Sequence, residues 1–166
     1  ASGLELKAWR APADDKVLIY AATTQTWHDF YDLGPARATD ELIIAALVAA
    51  NPLRRVVYRP RPAYAKKHPE LCQVIEDAEL SDRVSLAEDL ERCYRLVTIG
   101  SNAAVEALAA GVPVSILGSD HPCRVFDSGD PLVAEDHAER WRFFSDMAYC
   151  QWTLDEYLSG QAWEHL

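Results

Sequence analysis

The chain has 166 residues, 49% hydrophobic and 25% charged, the size and balance of one domain with room for a real core. Its formal net charge of −10, from 26 acidic against 16 basic residues, argues against nonspecific binding to nucleic acid or to an anionic membrane. No apolar run approaches the roughly 20 residues of a membrane helix. Ala1–Arg10 lacks the apolar centre of a signal peptide. The four cysteines, Cys72, Cys93, Cys123 and Cys150, form no C-x-x-C pair, so they fit buried reduced thiols better than a zinc site or a disulfide framework. Against this acidic background Arg54, Arg55, Arg59 and Arg61 stand out as a local basic cluster.

Residues 1–15 read as a lead-in, with Pro12 and Asp14-Asp15 marking the boundary before the first strand. Lys16–Ala22, KVLIYAA, has the continuous apolar character of a strand buried on both faces. The polar stretch that follows lies at the carboxyl end of that strand, where open α/β sheets bind ligands. Thr23, Thr24 and Gln25 are therefore either a ligand-contact loop or a plain polar turn. Trp27–Pro35 reads as an ordered aromatic loop. Thr39 is placed to cap a helix from Asp40 to about Asn51, with Asp40 and Glu41 in its first turn. Arg54–Arg59 is the second predicted strand, and Pro60 and Pro62 hold the backbone beyond it extended.

A third helix is expected over Pro69–Leu80, entered through Lys66-Lys67-His68. Val84–Leu86 is expected as a short strand, with Ser85-Leu86-Ala87-Glu88 forming a capping box for a brief helix ending near Cys93. The next stretch, Arg95–Gly118, reads strand, tight turn, helix, tight turn, strand. Leu96–Ile99 is a β-branched run, Gly100 frees the turn, and Ser101 or Asn102 caps a helix over Asn102–Ala110. Gly111 and Pro113 end that helix, and Val114–Leu117 makes the last strand of a unit that is right-handed by rule.

A helix starting at a strand's carboxyl end presents free N–H groups, so an anion such as phosphate is the expected guest. Ser101 and Asn102 add hydrogen-bonding side chains there. Glu106, one turn on, either accepts from a ribose or sugar hydroxyl pair or is an ordinary solvated helix residue. Ser119–Arg124 again follows a strand and either reaches the same place or forms a loop. Gly129-Asp130-Pro131 is a turn. His137–Gln151 reads as a helix carrying Trp141, Phe144, Met147 and Ala148 on one side. A second capping box at Thr153–Glu156 opens a last helix, broken at Ser159-Gly160.

Gly100–Gly118, GSNAAVEALAAGVPVSILG, resembles the nucleotide-sugar-binding carboxyl-terminal half of GT-B glycosyltransferases. The likeness is to the capsule polysaccharide biosynthesis group that includes bacterial Kdo transferases. Val56–Tyr64, VVYRPRPAY, resembles that group's second hallmark, a strand ending in Arg-Pro-His-Pro, except that Arg61 stands where the group has histidine. The resemblance covers Lys16–Gly118, about three-fifths of the chain. It implies a nucleotide-activated sugar, with a CMP-linked one among the candidates, as substrate, with no metal and no further cofactor. Arg59 and Arg61 would hold phosphate through the two-pronged guanidinium, Arg61 without the titratable role a histidine could take. Ser101 and Asn102 would bind it at the helix start, and Glu106 would hold ribose or base. The resemblance also implies that acceptor site and catalytic carboxylate come from a second, amino-terminal Rossmann-like domain or partner chain, so catalytic residues are not assigned.

The alternation of strand and helix predicts an α/β fold: a single Rossmann-like domain with a mainly parallel sheet of about five strands and helices on both faces. The expected division is a lead-in over 1–15, a nucleotide-sugar-binding domain over 16–136, and carboxyl-terminal helices over 137–166. The expected function is the donor-binding half of a cytoplasmic glycosyltransferase with no nucleic-acid partner and no integral membrane segment. Two alternatives stay open. One is a nucleotide-sugar epimerase-like domain, whose only acid–base candidates would be Glu106, Asp120 and His121. The other is a non-catalytic interaction module.

Overall fold

A computed structural model describes residues 6–10, 17–67, 75–127, 137–149 and 158–159. By its contacts the chain divides into Ala1–Val133 and Ala134–Leu166. The first unit is built on a five-stranded sheet in which every pairing is parallel. Its strands are β1 (Val17–Ala21), β2 (Val56–Arg59), β3 (Glu79–Leu80), β4 (Cys93–Thr98) and β5 (Val114–Ile116), in the spatial order β3-β2-β1-β4-β5. All five residues of β1 and all four of β2 are buried, as continuous apolar runs in a parallel sheet must be. The α/β, Rossmann-like fold is therefore present.

The chain winds outward from β1 to β3, then returns to the other side of β1 with β4. That reversal opens a crevice between the carboxyl ends of β1 and β4. Thr98, fully buried at the end of β4, ties this crevice together: its hydroxyl donates to Ala21 O (2.8 Å) and accepts from Ser101 N (3.1 Å).

Helices α1 (Gln25–Phe30), α2 (Ala36–Ala50), α3 (Pro62–Lys67), α4 (Leu86–Arg92) and α5 (Ala103–Ala109) connect the strands. Several differ from the expectation. The first four residues of the aromatic loop after β1, Trp27–Phe30, are helical, because Thr24 O accepts from both Trp27 N and His28 N. Thr39 does not cap α2; it lies inside that helix, and its hydroxyl donates to Leu33 O. The free N–H at the true start, Ala36, is taken by the Gln25 side chain (2.8 Å), a non-local cap with no local signature. Pro62 opens α3 rather than extending the chain, consistent with proline's tolerance in a first helical turn.

Val84–Leu86 is not a strand. Ser85 Oγ accepts from Glu88 N, the capping box forms, and Leu86 is drawn into α4, while Val84 is 91% exposed. The outer strand is Glu79–Leu80 instead.

The βαβ unit β4-α5-β5 forms as predicted, with Gly111 closing α5 at a φ of +73°. A side chain at Gly111 would meet Ala8 O, because residues 6–10 cross there, with Lys7 N donating to Ala109 O and Arg10 N to Gly111 O. Gly100 has no left-handed backbone, and a Cβ added there would make only ordinary contact with the Trp27 indole.

Cys93 and Cys123 are buried free thiols, each pushed up to about 12 by burial. Cys72 and Cys150, His68, residues 69–74 of the helix expected over Pro69–Leu80, the turn expected at Gly129–Pro131 and the capping box expected at Thr153–Glu156 lie outside the described residues. The described remainder of that helix, residues 75–80, is turn and strand instead, with Asp77 at a φ of +65°. In the second unit α6 (His137–Tyr149) matches the predicted helix; Trp141 is exposed and Phe144 buried. No helix among the described residues is long and apolar enough to cross a membrane.

Candidate functional site

Three depressions adjoin at the carboxyl edge of the sheet, and Arg61 lines all of them. The first, about 380 Å³, also takes in Arg59, Ser85, Ser101, Asn102 and Glu106. The second, about 150 Å³, sits at the crevice and is lined by Thr23, Trp27, Gly100, Ser101 and Asn102. The third, about 170 Å³, lies on the other side of Arg61 and includes Thr23, Gln25, Arg37, Asp40 and Tyr58. Together they match the scale of a small-ligand cleft.

The β2 corner supplies two arginines with different surroundings. Arg59 is buried, and its Nη1 is committed to Asp89, to Ser81 Oγ (3.1 Å) and to Arg83 O (3.3 Å). Asp89, fully buried, also receives Arg92 (2.9 Å) and the Ser81 hydroxyl (2.5 Å). Arg59 thus braces α4 against β2 and forms part of the cleft wall. Arg61, past Pro60, is exposed and faces the open space.

The β4 corner brings Ser101, Asn102 and Glu106 to the same cleft. Ser101 Oγ accepts from Ala103 N (3.3 Å), whereas Asn102 makes no side-chain cap. With seven residues α5 is short, so the side chains around it matter more than its dipole. The loop after β5 does not open into the cleft through His121. That ring is buried, accepts from Cys123 N (3.1 Å) and bonds the Ser101 backbone; burial holds its pKa below the ordinary value.

At the β1 corner the sequence singles out Thr24 and Gln25. Thr24 occupies the N-cap position of α1 without a side-chain bond and lines none of the three depressions. The Gln25 amide is engaged on both ends, donating to Asp29 (2.7 Å) and Gly34 O (3.1 Å) and accepting from Ala36 N. The residue that reaches two depressions is their neighbour Thr23.

Sequence reasoning missed a buried polar cluster beside Arg61. Asp40, placed above only in the first turn of a helix, is 3% exposed, and its carboxylate accepts from the hydroxyls of Tyr20 (2.6 Å) and Tyr58 (3.1 Å). Those tyrosines are register partners on β1 and β2, with stacked rings. Burial pushes the Asp40 carboxyl up to about 6, against the opposing pull of the two hydroxyls. His28, wholly buried, has Nε2 3.8 Å from Asp40 Oδ1, too long for a hydrogen bond, and neither ring nitrogen has a partner among the described residues. Burial holds its pKa below the ordinary value. The available signal was helical phase: Asp40 shares a face with Ile44 and Leu47, four and seven residues on.

Among the described residues no three or more His, Cys, Asp or Glu side chains gather as a metal site. Residues 36–166 match the family model described as "Putative glycosyltransferase (DUF6716)". The chain belongs to this family. The matched span includes Asp40, Arg61, Ser101, Asn102 and Glu106, while Thr23 and His28 precede it.

No curated protein matches the chain. Among solved structures it is similar to KpsC β-Kdo 2,7 transferase of Thermosulfurimonas dismutans, at 17% identity and a TM-score of 0.43 over 65% of this chain and 35% of that one. It is also similar to the KpsC β-Kdo 2,4 transferase of the same organism, at 14% identity and a TM-score of 0.49 over 68% of this chain and 36% of that one. The chain thus spans about a third of the length of these structures.

Proposed function

We propose that this chain is the donor-binding part of a GT-B-type glycosyltransferase acting in surface polysaccharide or glycan synthesis in the cytoplasm. Its ligand is a nucleotide-activated sugar, CMP-linked in the first instance, bound without a metal or further cofactor. The observation that carries this reading is the position of Arg61, exposed and common to three adjoining depressions that also hold Ser101, Asn102 and Glu106. A guanidinium there has the geometry to grip phosphate oxygens, the Ser101 and Asn102 side chains lie across from it, and Glu106 can accept from ligand hydroxyls. Membership of a glycosyltransferase family supports the reading.

Arg59 contributes by shape, because its Nη1 is held by Asp89. Thr24 and Gln25 contribute indirectly: the first starts α1, and the second fixes the turn into α2. The acceptor site and catalytic carboxylate would come from an amino-terminal Rossmann-like domain or a partner chain.

Titration calorimetry with CMP, UDP and GDP tests the reading. Binding of at least one, weakened tenfold or more by Arg61→Ala and less by Ser101→Ala, is the expected result. Binding of none, or equal affinity in Arg61→Ala, would overturn it. The chain on its own is expected to transfer no sugar, which incubation with a donor and chromatography of the products would check.

A further inference from the structure

The 170 Å³ depression beside Arg61 has a carboxylate in its lining, an unusual feature for a site meant to hold an anion. Asp40 is the only acidic residue of that lining, and Arg37 and Arg61 flank it. A carboxylate offers about four acceptor positions. Tyr20 donates to Oδ1 and Tyr58 to Oδ2, so each oxygen keeps acceptor capacity beyond its tyrosine. His28 adds no hydrogen bond, since its Nε2 stays 3.8 Å from Oδ1.

Two hydroxyls on adjacent carbons present a matching pair of donors. The space is also sufficient: a single water requires only about 10–15 Å³ of comparable volume. The site is built rather than accidental. Two stacked tyrosines on neighbouring strands aim both hydroxyls at one carboxylate, and an imidazole with no hydrogen-bond partner among the described residues is buried against it. A buried polar group left this way costs stability, so an apolar core would be favoured unless the cluster served something else.

We propose that this depression is a diol subsite, in which Asp40 accepts hydrogen bonds from a vicinal hydroxyl pair of the same ligand whose phosphate Arg61 holds. This rests on the donor-binding reading above and deepens it: the substrate class becomes one that joins an anionic group to a vicinal diol. The diol belongs either to the ribose or to the transferred sugar.

Calorimetry on wild-type and Asp40→Asn protein with pyrophosphate, 2′-deoxy-CMP, CMP and CMP-N-acetylneuraminate separates the possibilities. The expected result is a roughly tenfold loss for hydroxyl-bearing ligands, with pyrophosphate binding unchanged. A loss already present for CMP and absent for 2′-deoxy-CMP assigns the subsite to ribose; a loss confined to CMP-N-acetylneuraminate assigns it to the sugar. Equal affinities in both proteins, or an equal loss for all four ligands, would overturn the proposal. Wild-type protein that binds none of the four overturns this subsite, and the donor-binding reading falls with it only if UDP and GDP also fail to bind. Ala36→Leu, which fills the same depression without altering the carboxylate, must show the same selectivity and covers the case of an Asp40→Asn protein that does not fold.

Discussion

Asp89 and Asp40 are both buried carboxylates, the first bonded to Arg59 at the end of β2 and the second to Tyr20 and Tyr58, and they are satisfied in opposite ways. Asp89 is saturated with charge: Arg59, Arg92 and the Ser81 hydroxyl converge on it. Asp40 has two neutral tyrosine hydroxyls and, on its Oδ1 side, a histidine too far away to bond. A fully paired buried ion holds elements together, in this case α4 and β2. A buried carboxylate without a paired cation retains acceptor capacity and an elevated pKa, the combination expected where a ligand or a proton is handled. The contrast extends to the two arginines that flank Pro60, since Arg59 is locked and Arg61 is open.

Breaking the saturated side should have the largest effect. Asp89→Ala strands the Arg59 guanidinium in a buried setting and is expected to destabilise the fold by about 3–5 kcal/mol. Urea unfolding measures this; a loss under about 1 kcal/mol would mean that Asp89 is no anchor.

The open side should appear in the pH dependence. Asp40 is raised from 3.8 to about 6, so the native state holds this proton more tightly than the unfolded chain. The stabilisation is present below pH 3.8 and lost as pH climbs through about 6. His28 is lowered from 6.5, so its contribution is present above pH 6.5 and lost on acidification. Relative to wild type, Asp40→Asn should therefore gain stability between pH 4 and pH 6. His28→Leu should gain it as the pH falls below 6.5. Thermal melts across pH 4 to 7.5 check both slopes, and parallel curves for all three proteins would sink the assignment.

The smallest effect sharpens the comparison from the other end. Arg61→Ala removes an exposed side chain and should change stability by no more than about 0.5 kcal/mol while its ligand binding collapses. A melting temperature that falls as far as in Asp89→Ala would make Arg61 a second anchor rather than an open cation.

Features encoded within a few consecutive residues were legible in the sequence. The buried strands followed from unbroken apolar runs, the α4 start from Ser85 and Glu88, and the end of α5 from Gly111 and Pro113. Arg61, Ser101, Asn102 and Glu106 could be placed on one edge because strand tips of a parallel sheet all point the same way. The strand at Val84–Leu86 failed because two apolar residues alternate there only by chance, and the capping box beside them won.

Sequence by itself determined the parallel α/β class and the arginine and serine corners, because periodicity, turn residues and caps act over distances of one helical turn. Only the tertiary structure decided that β1 separates β2 from β4, that Gln25 caps a helix eleven residues away, that Arg59 is spent on a carboxylate thirty residues on, and that Asp40 faces inward. Those facts depend on which elements become neighbours once the sheet assembles. The burial that raises the Asp40 pKa exists only after Tyr20, Tyr58 and His28, from three different elements, have closed around it.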